Sequence, residues 1–153
     1  MNKEQPYSLE KAKNYSFLLL KFRLRSEKEI SQRLKQKDFP ESIIQETLQF
    51  LKEHRFIDDA VFAKAWIASR LKKPLGLSKI REELRIKGID NEIVAAAWLD
   101  ILPDYSQEEV VTRIVQQRLA KSKGIEPLKA KRRIFAYLLR RGFSADVIIQ
   151  AME

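Results

Sequence analysis

Three kinds of residue in this 153-residue chain could do chemistry: a single histidine, a pair of adjacent carboxylates, and several runs of cations. The histidine, His54, stands in "LKEHRFIDD". There is no Cys and no second His, so His54 lacks the Cys, His or carboxylate spacing that a zinc site needs. It also lacks a paired Ser, Thr or Cys nucleophile in any recognisable motif. A histidine near a helix C-terminus, complementing the helix dipole, accounts for it. Asp58 and Asp59 are neighbours in sequence, and neighbours on a helix point to different faces, so they do not form an acid–base pair. They read instead as the start of a helix, where negative charge is favoured. Trp66 and Trp98 fall on apolar stripes and read as core residues. No P-loop and no GxGxxG is present. The expectation is a protein without catalytic, metal or cofactor residues.

What remains is positive charge. The chain carries a net +9, which suits an anionic partner. Residues 1–55 and 104–153 each carry a net +4 and residues 56–103 a net +1, so the charge is concentrated in the outer thirds. One cluster runs through Arg70, Lys72, Lys73, Lys79 and Arg81. The densest one comprises Lys129, Lys131, Arg132, Arg133, Arg140 and Arg141. Both could track a phosphate backbone. Arg132 and Arg133 have no acid beside them to pair with, whereas Lys37, Lys87 and Arg141 share one position at the end of a helix and could simply complement its dipole. The absence of Cys fits a reducing cytosol. The N-terminal stretch "MNKEQPYSLEKAKNY" has no apolar core of a signal peptide, and Phe17–Leu20 is too short to span a bilayer.

The elements that carry these residues are set by an internal repeat. Ile30, Leu34, Phe39 and Ile43 recur as Ile80, Leu84, Ile89 and Ile93, and again as Ile134, Leu138, Phe143 and Val147. Each set is one helix, a stop, and the start of a second helix. Gly88 and Gly142 occupy the stop, with Asp38 in that slot of the first copy. Pro40, Asp90 and Ser144 mark the following helix starts. A further helix precedes each pair. Its predicted packing face is Tyr15, Leu18, Leu19 and Phe22 in the first copy. In the second it is Phe62, Ala65 and Trp66, and in the third Val111, Ile114, Val115 and Leu119. No segment alternates like a strand. The fold expected is all-α: three tandem three-helix repeats over 1–55, 56–103 and 104–153, forming an elongated array that can curve, monomeric because no apolar helix is spare.

Helices two and three of each repeat meet across a short turn, as in a helix-turn-helix. The third helix would make a poor recognition helix. Residues 90–100 contain no Lys or Arg but three acids, and residues 144–153 again contain no cation.

Two stretches carry a resemblance. "RSEKEISQRLKQKDFPESIIQETLQFLKEHRFIDDAVFAKAWIASR" and "GLSKIREELRIKGIDNEIVAAAW" resemble the RecX family, bacterial modulators of the RecA recombinase. The resemblance spans about residues 12 to 150, with looser agreement in the third repeat. It implies a cytoplasmic, non-enzymatic protein that binds RecA–DNA filaments in their helical groove and restrains strand exchange and ATP hydrolysis; some members also contact DNA. It brings no catalytic set. The competing expectations are a stand-alone, sequence-nonspecific nucleic-acid-binding module and a helical adaptor for an acidic protein.

Overall fold

The computed structural model describes residues 7–153; the start of the N-terminal stretch read above for a leader lies outside them. Among the described residues there are nine α-helices and no strand. The first unit contains α1 (Leu9–Phe22), α2 (Glu27–Gln36) and α3 (Glu41–Glu53). The second contains α4 (Asp59–Leu71), α5 (Leu77–Ile86) and α6 (Asn91–Ile101), extended by a 3-10 turn over Leu102–Asp104. The third contains α7 (Gln107–Ala120), α8 (Pro127–Arg140) and α9 (Ala145–Met152).

The middle helix of each unit ends the same way. Phe39 N–H donates to the Leu34 carbonyl, Ile89 N–H to Leu84 and Phe143 N–H to Leu138, at 3.1–3.2 Å. The intervening residue is left-handed each time: Asp38 at φ 65°, Gly88 at 78° and Gly142 at 90°. This is the Schellman stop, in which the same two residues also make an apolar contact. It turns the chain so that the repeated apolar positions of each unit face that unit's own small core. Ile30, Leu34, Ile80, Leu84, Ile134 and Leu138 are all buried.

The helix starts are less uniform. Ser8, Ser26, Asp58, Ser106 and Glu126 cap their helices through side-chain oxygens. Ser26 and Glu29 form a reciprocal capping box. Pro40, Asp90 and Ser144 occupy the N-cap position as the punctuation suggests, but none accepts a capping hydrogen bond through its side chain.

The first helix of each unit buries part of its predicted face: Leu19, Phe62, Val111 and Val115 are buried as expected, and the other positions differ. In α1 the buried residues are Ala12, Ser16 and Leu19, while Leu18 and Phe22 point outward, Phe22 being 76% exposed. Ser16 can be buried because its hydroxyl donates to the Ala12 carbonyl at 2.8 Å. In α4 the buried set is Phe62, Ala63 and Ile67, with Ala65 exposed and Trp66 half-buried. In α7 it is Val111 and Val115, with Ile114 half-buried and Leu119 exposed.

Three separate apolar clusters result, one per unit. The main helix-on-helix packing lies within units. The accessible surface is 10388 Å², against about 8,000 Å² expected of a compact monomer of this mass. The array is therefore extended.

The units are joined by polar contacts between successive middle helices. The C-terminal turn of α5 abuts the N-terminal turn of α2: Ser26 Oγ donates to the Lys87 carbonyl at 2.7 Å and Lys28 Nζ to the Ile86 carbonyl at 3.3 Å. The C-terminal turn of α8 abuts α5 in the same manner. Gly76 N–H donates to the Arg141 carbonyl at 2.7 Å and Ser78 Oγ to the Gly142 carbonyl at 2.6 Å. Each junction sets a positive helix end against a negative one.

Candidate polyanion-binding surface

The two junctions differ in charge. At the first, Glu27, Asp58, Asp59 and Asp90 line an open groove with Lys52 and Arg55. Asp59 Oδ1 accepts from Glu27 N–H at 2.9 Å. Burial and the neighbouring carboxylates push Asp59 above its ordinary pKa, against that hydrogen bond. Glu29 lies nearby and behaves oppositely. Burial would raise its pKa, but Arg23, Ser26 N–H and Lys87 Nζ all donate to its carboxylate and hold it down at about 2.

The second junction is basic. Lys72 and Lys73 follow α4 and are exposed; Lys79 and Arg81 are exposed on α5. A Cβ on Gly142 would lie only 2.5 Å from Lys79 Cβ, so the α8 end that carries Arg140 and Arg141 rests against Lys79. Two cation runs some sixty residues apart in sequence are thus brought to one place.

Not every cation there is free. Arg70 makes a two-pronged pair with Glu83, Nε to Oε2 at 2.8 Å and Nη2 to Oε1 at 2.6 Å, and Trp66 Nε1 donates to the same carboxylate at 2.9 Å. Arg141 Nε donates to the Pro74 carbonyl at 2.8 Å, tying the second and third units together. Lys131 Nζ reaches the Met152 carbonyl at 3.4 Å. Lys129, Arg132, Arg133 and Arg140 are exposed on α8, and none of them forms an ion pair among the described residues. The Arg132–Arg133 pair on which the sequence placed free charge is therefore unpaired in the fold.

Two further cations belong to this surface and were not singled out in the sequence: Arg118 on α7 and Lys121 just beyond it. With Arg133 they line a cleft of about 480 Å³ between α7 and α8, closed on one side by Pro74. The signal lay in the antiparallel pairing of two helices joined by a short turn, which brings residues 118, 121 and 133 to one side only after α7 and α8 pack.

His54 is exposed, with Nδ1 3.1 Å from the Phe50 carbonyl and its ring near those of Phe50 and Phe56. Trp98 is buried in the middle core. Among the described residues no group of His, Cys, Asp and Glu is arranged to hold a metal, and no helix is long and apolar enough to cross a membrane.

Comparison with known proteins identifies three tandem three-helix domains. Family models described as the first, second and third three-helix domains of RecX match residues 12–51, 58–97 and 106–152. The regulatory protein RecX of Bacillus licheniformis is 35% identical over 135 residues, which is 88% of this chain and 51% of that protein. The regulatory protein RecX of Mycobacterium sp. (strain JLS) is 33% identical over 97% of this chain and 83% of its own length. The chain thus spans about half of the Bacillus relative and most of the mycobacterial one. A crystal structure of a regulatory protein RecX superposes with a TM-score of 0.83 at 23% identity, over 94% of this chain and 72% of that one. RecX from Lactobacillus salivarius gives 0.81 at 24% identity, over 94% of each chain. Three matched domains in tandem, together with the mycobacterial relative aligned over most of both chains, place this chain in the RecX family of regulatory proteins.

Proposed function

We propose that this chain binds RecA and RecA–DNA filaments and restrains recombinase and ATPase activity in DNA repair and recombination, acting in the cytoplasm as a monomer and without catalysis of its own. Family membership supplies the partner. The observation from the molecule that carries the reading is an extended three-unit array with unpaired cations on its third unit and at the second junction. A nucleoprotein filament offers a long groove walled by phosphate and protein, and an array joined by polar contacts can lie along it. The residues proposed to face that groove are Lys72, Lys73, Lys79, Arg81, Lys129, Arg132, Arg133 and Arg140, with Arg70, Lys131 and Arg141 contributing through the pairs they already make.

The test is binding to RecA-coated single-stranded DNA against bare single-stranded DNA at one physiological salt concentration. Preference for the coated strand, with slowed ATP hydrolysis, is the expected result. The exposed cations of α8 also favour a second reading, a stand-alone nucleic-acid-binding module without sequence preference. Equal binding to both forms would support it, and binding to neither would remove both.

A further inference from the structure

The cleft between α7 and α8 is lined by three cations and no carboxylate: Arg118, Lys121 and Arg133. All three are exposed, and none makes a side-chain hydrogen bond or ion pair among the described residues. Three like charges on one cleft give it a positive potential that favours an entering anion. The Arg118 guanidinium is not loose. It sits 3.4 Å from the centroid of the Tyr137 ring, which holds it by a cation–π contact and leaves its N–H donors unsatisfied by protein. The Arg141 guanidinium lies 6.0 Å from the same ring and anchors Pro74, so the cleft wall is fixed by the second junction. At about 480 Å³ the space admits more than one phosphate group.

We propose that this cleft is a phosphoanion site, in which Arg118 supplies a positioned fork of donors and Lys121 and Arg133 neutralise the remaining charge. Guanidinium geometry matches phosphoryl oxygens two at a time, while the flanking ammonium acts as a point charge. Two sources carry this chemistry: the phosphodiester of a nucleic-acid strand, and a free polyphosphate such as the tail of a nucleotide. The inference goes beyond filament binding and stands whether or not the chain engages RecA.

The experiment titrates the full chain with inorganic tripolyphosphate by calorimetry at fixed ionic strength, without RecA. The same titration is run on Arg118→Ala, Lys121→Ala and, as a charge-loss control off the cleft, Arg113→Ala. Saturable one-site binding is expected, weakened about tenfold or more by Arg118→Ala and by Lys121→Ala but less than about twofold by Arg113→Ala. The Lys121 side chain makes no hydrogen bond or ion pair among the described residues, and its backbone cap survives in the alanine variant, so that variant reads the site even if Arg118→Ala loosens α7. Arg118→Lys, which keeps the charge and loses the fork, should recover only part of the affinity. A thymidine oligonucleotide then separates the sources: competition with tripolyphosphate assigns the strand, and absence of competition assigns the free polyphosphate. No saturable binding of tripolyphosphate, or equal losses in the cleft and control variants, would each overturn the proposal.

Discussion

Ser26 Oγ donates to the carbonyl of Lys87, 2.7 Å away and sixty-one residues on, while accepting from Glu29 N–H at 3.2 Å. One hydroxyl therefore caps α2 and holds the second unit against the first. It is fully buried, in a junction that lacks an apolar core. Ser26→Ala removes both bonds and leaves the Lys87 carbonyl and the Glu29 N–H without these partners. The expected loss is about 1–2 kcal/mol, read as a lower urea midpoint with an unchanged slope.

The stop glycines are needed for what packs on them, not only for their φ. Asp38 takes φ 65° in the first unit and is exposed, so a side chain is tolerated there. Gly142 has φ 90°, and a Cβ on it would lie 2.7 Å from the Lys79 backbone nitrogen. Gly124 has a similar φ of 89° with nothing within 4 Å. Gly142→Ala should therefore cost at least about 2 kcal/mol and part the second and third units. Gly124→Ala should cost only about 1 kcal/mol, the conformational strain alone. Comparing the two melts, with small-angle scattering on Gly142→Ala, separates strain from junction loss.

Glu29 makes the first junction sensitive to acid. Its carboxyl titrates near 4.5 in the ordinary state and at about 2 in the fold. A depressed carboxyl contributes stability above its unfolded pKa and loses it as the pH falls through the folded one, so the contribution fades between about pH 4.5 and 2. Asp59 is shifted up and works in the opposite sense, its cost being relieved as it protonates. Arg23 is 42% exposed, so solvent screening reduces the Glu29 contribution to about 1–2 kcal/mol. Glu29→Gln should lower stability at pH 7 by that amount and flatten the acid limb of the stability–pH curve. An unchanged acid limb would show that other carboxylates set it.

The cores follow the legible part of the sequence. Leu84 is fully buried in the middle cluster with Ile80, Ile89 and Val94. Leu84→Asp puts an unpaired carboxylate there and should cost roughly 3 kcal/mol or more, melting the middle unit.

That register was readable because the Schellman stop fixes its own spacing: a leucine, a left-handed residue and an apolar residue recur in every copy. The face of the first helix was readable only in part. Hydrophobicity favoured Leu18 and Phe22, yet α1 buries Ala12 and Ser16, small residues that allow close approach and, for Ser16, satisfy their own hydroxyl. The junctions were also hidden. They consist of backbone carbonyls meeting Ser26, Gly76 and Ser78, residue types that carry no distinctive pattern along the chain. The same limit applies to the basic surface. Sequence could show that Arg132 and Arg133 lack an acidic neighbour, but not that Glu83 takes Arg70 or that α7 delivers Arg118 and Lys121 beside Arg133.

The charge map itself can be inverted by design. Arg132 and Arg133 are exposed on α8 without an ionic partner, so Arg132→Glu with Arg133→Glu changes the surface field and little else. The melting transition should move by no more than about 0.5 kcal/mol. Binding to RecA-coated or bare single-stranded DNA should weaken, and the wild-type affinity should fall steeply with salt, by orders of magnitude between low and moderate ionic strength if six or more phosphates are neutralised. The variant should show a shallower salt slope, because fewer counterions are released. Asp90 and Glu92 are also exposed, on the acidic side of the array at the start of α6. Asp90→Lys with Glu92→Lys should leave binding intact or strengthen it, since α6 carries no cation to present to a groove. Normal binding by the α8 double variant with failure of the α6 one would reverse the map and restore the third helix of the unit as the reading head.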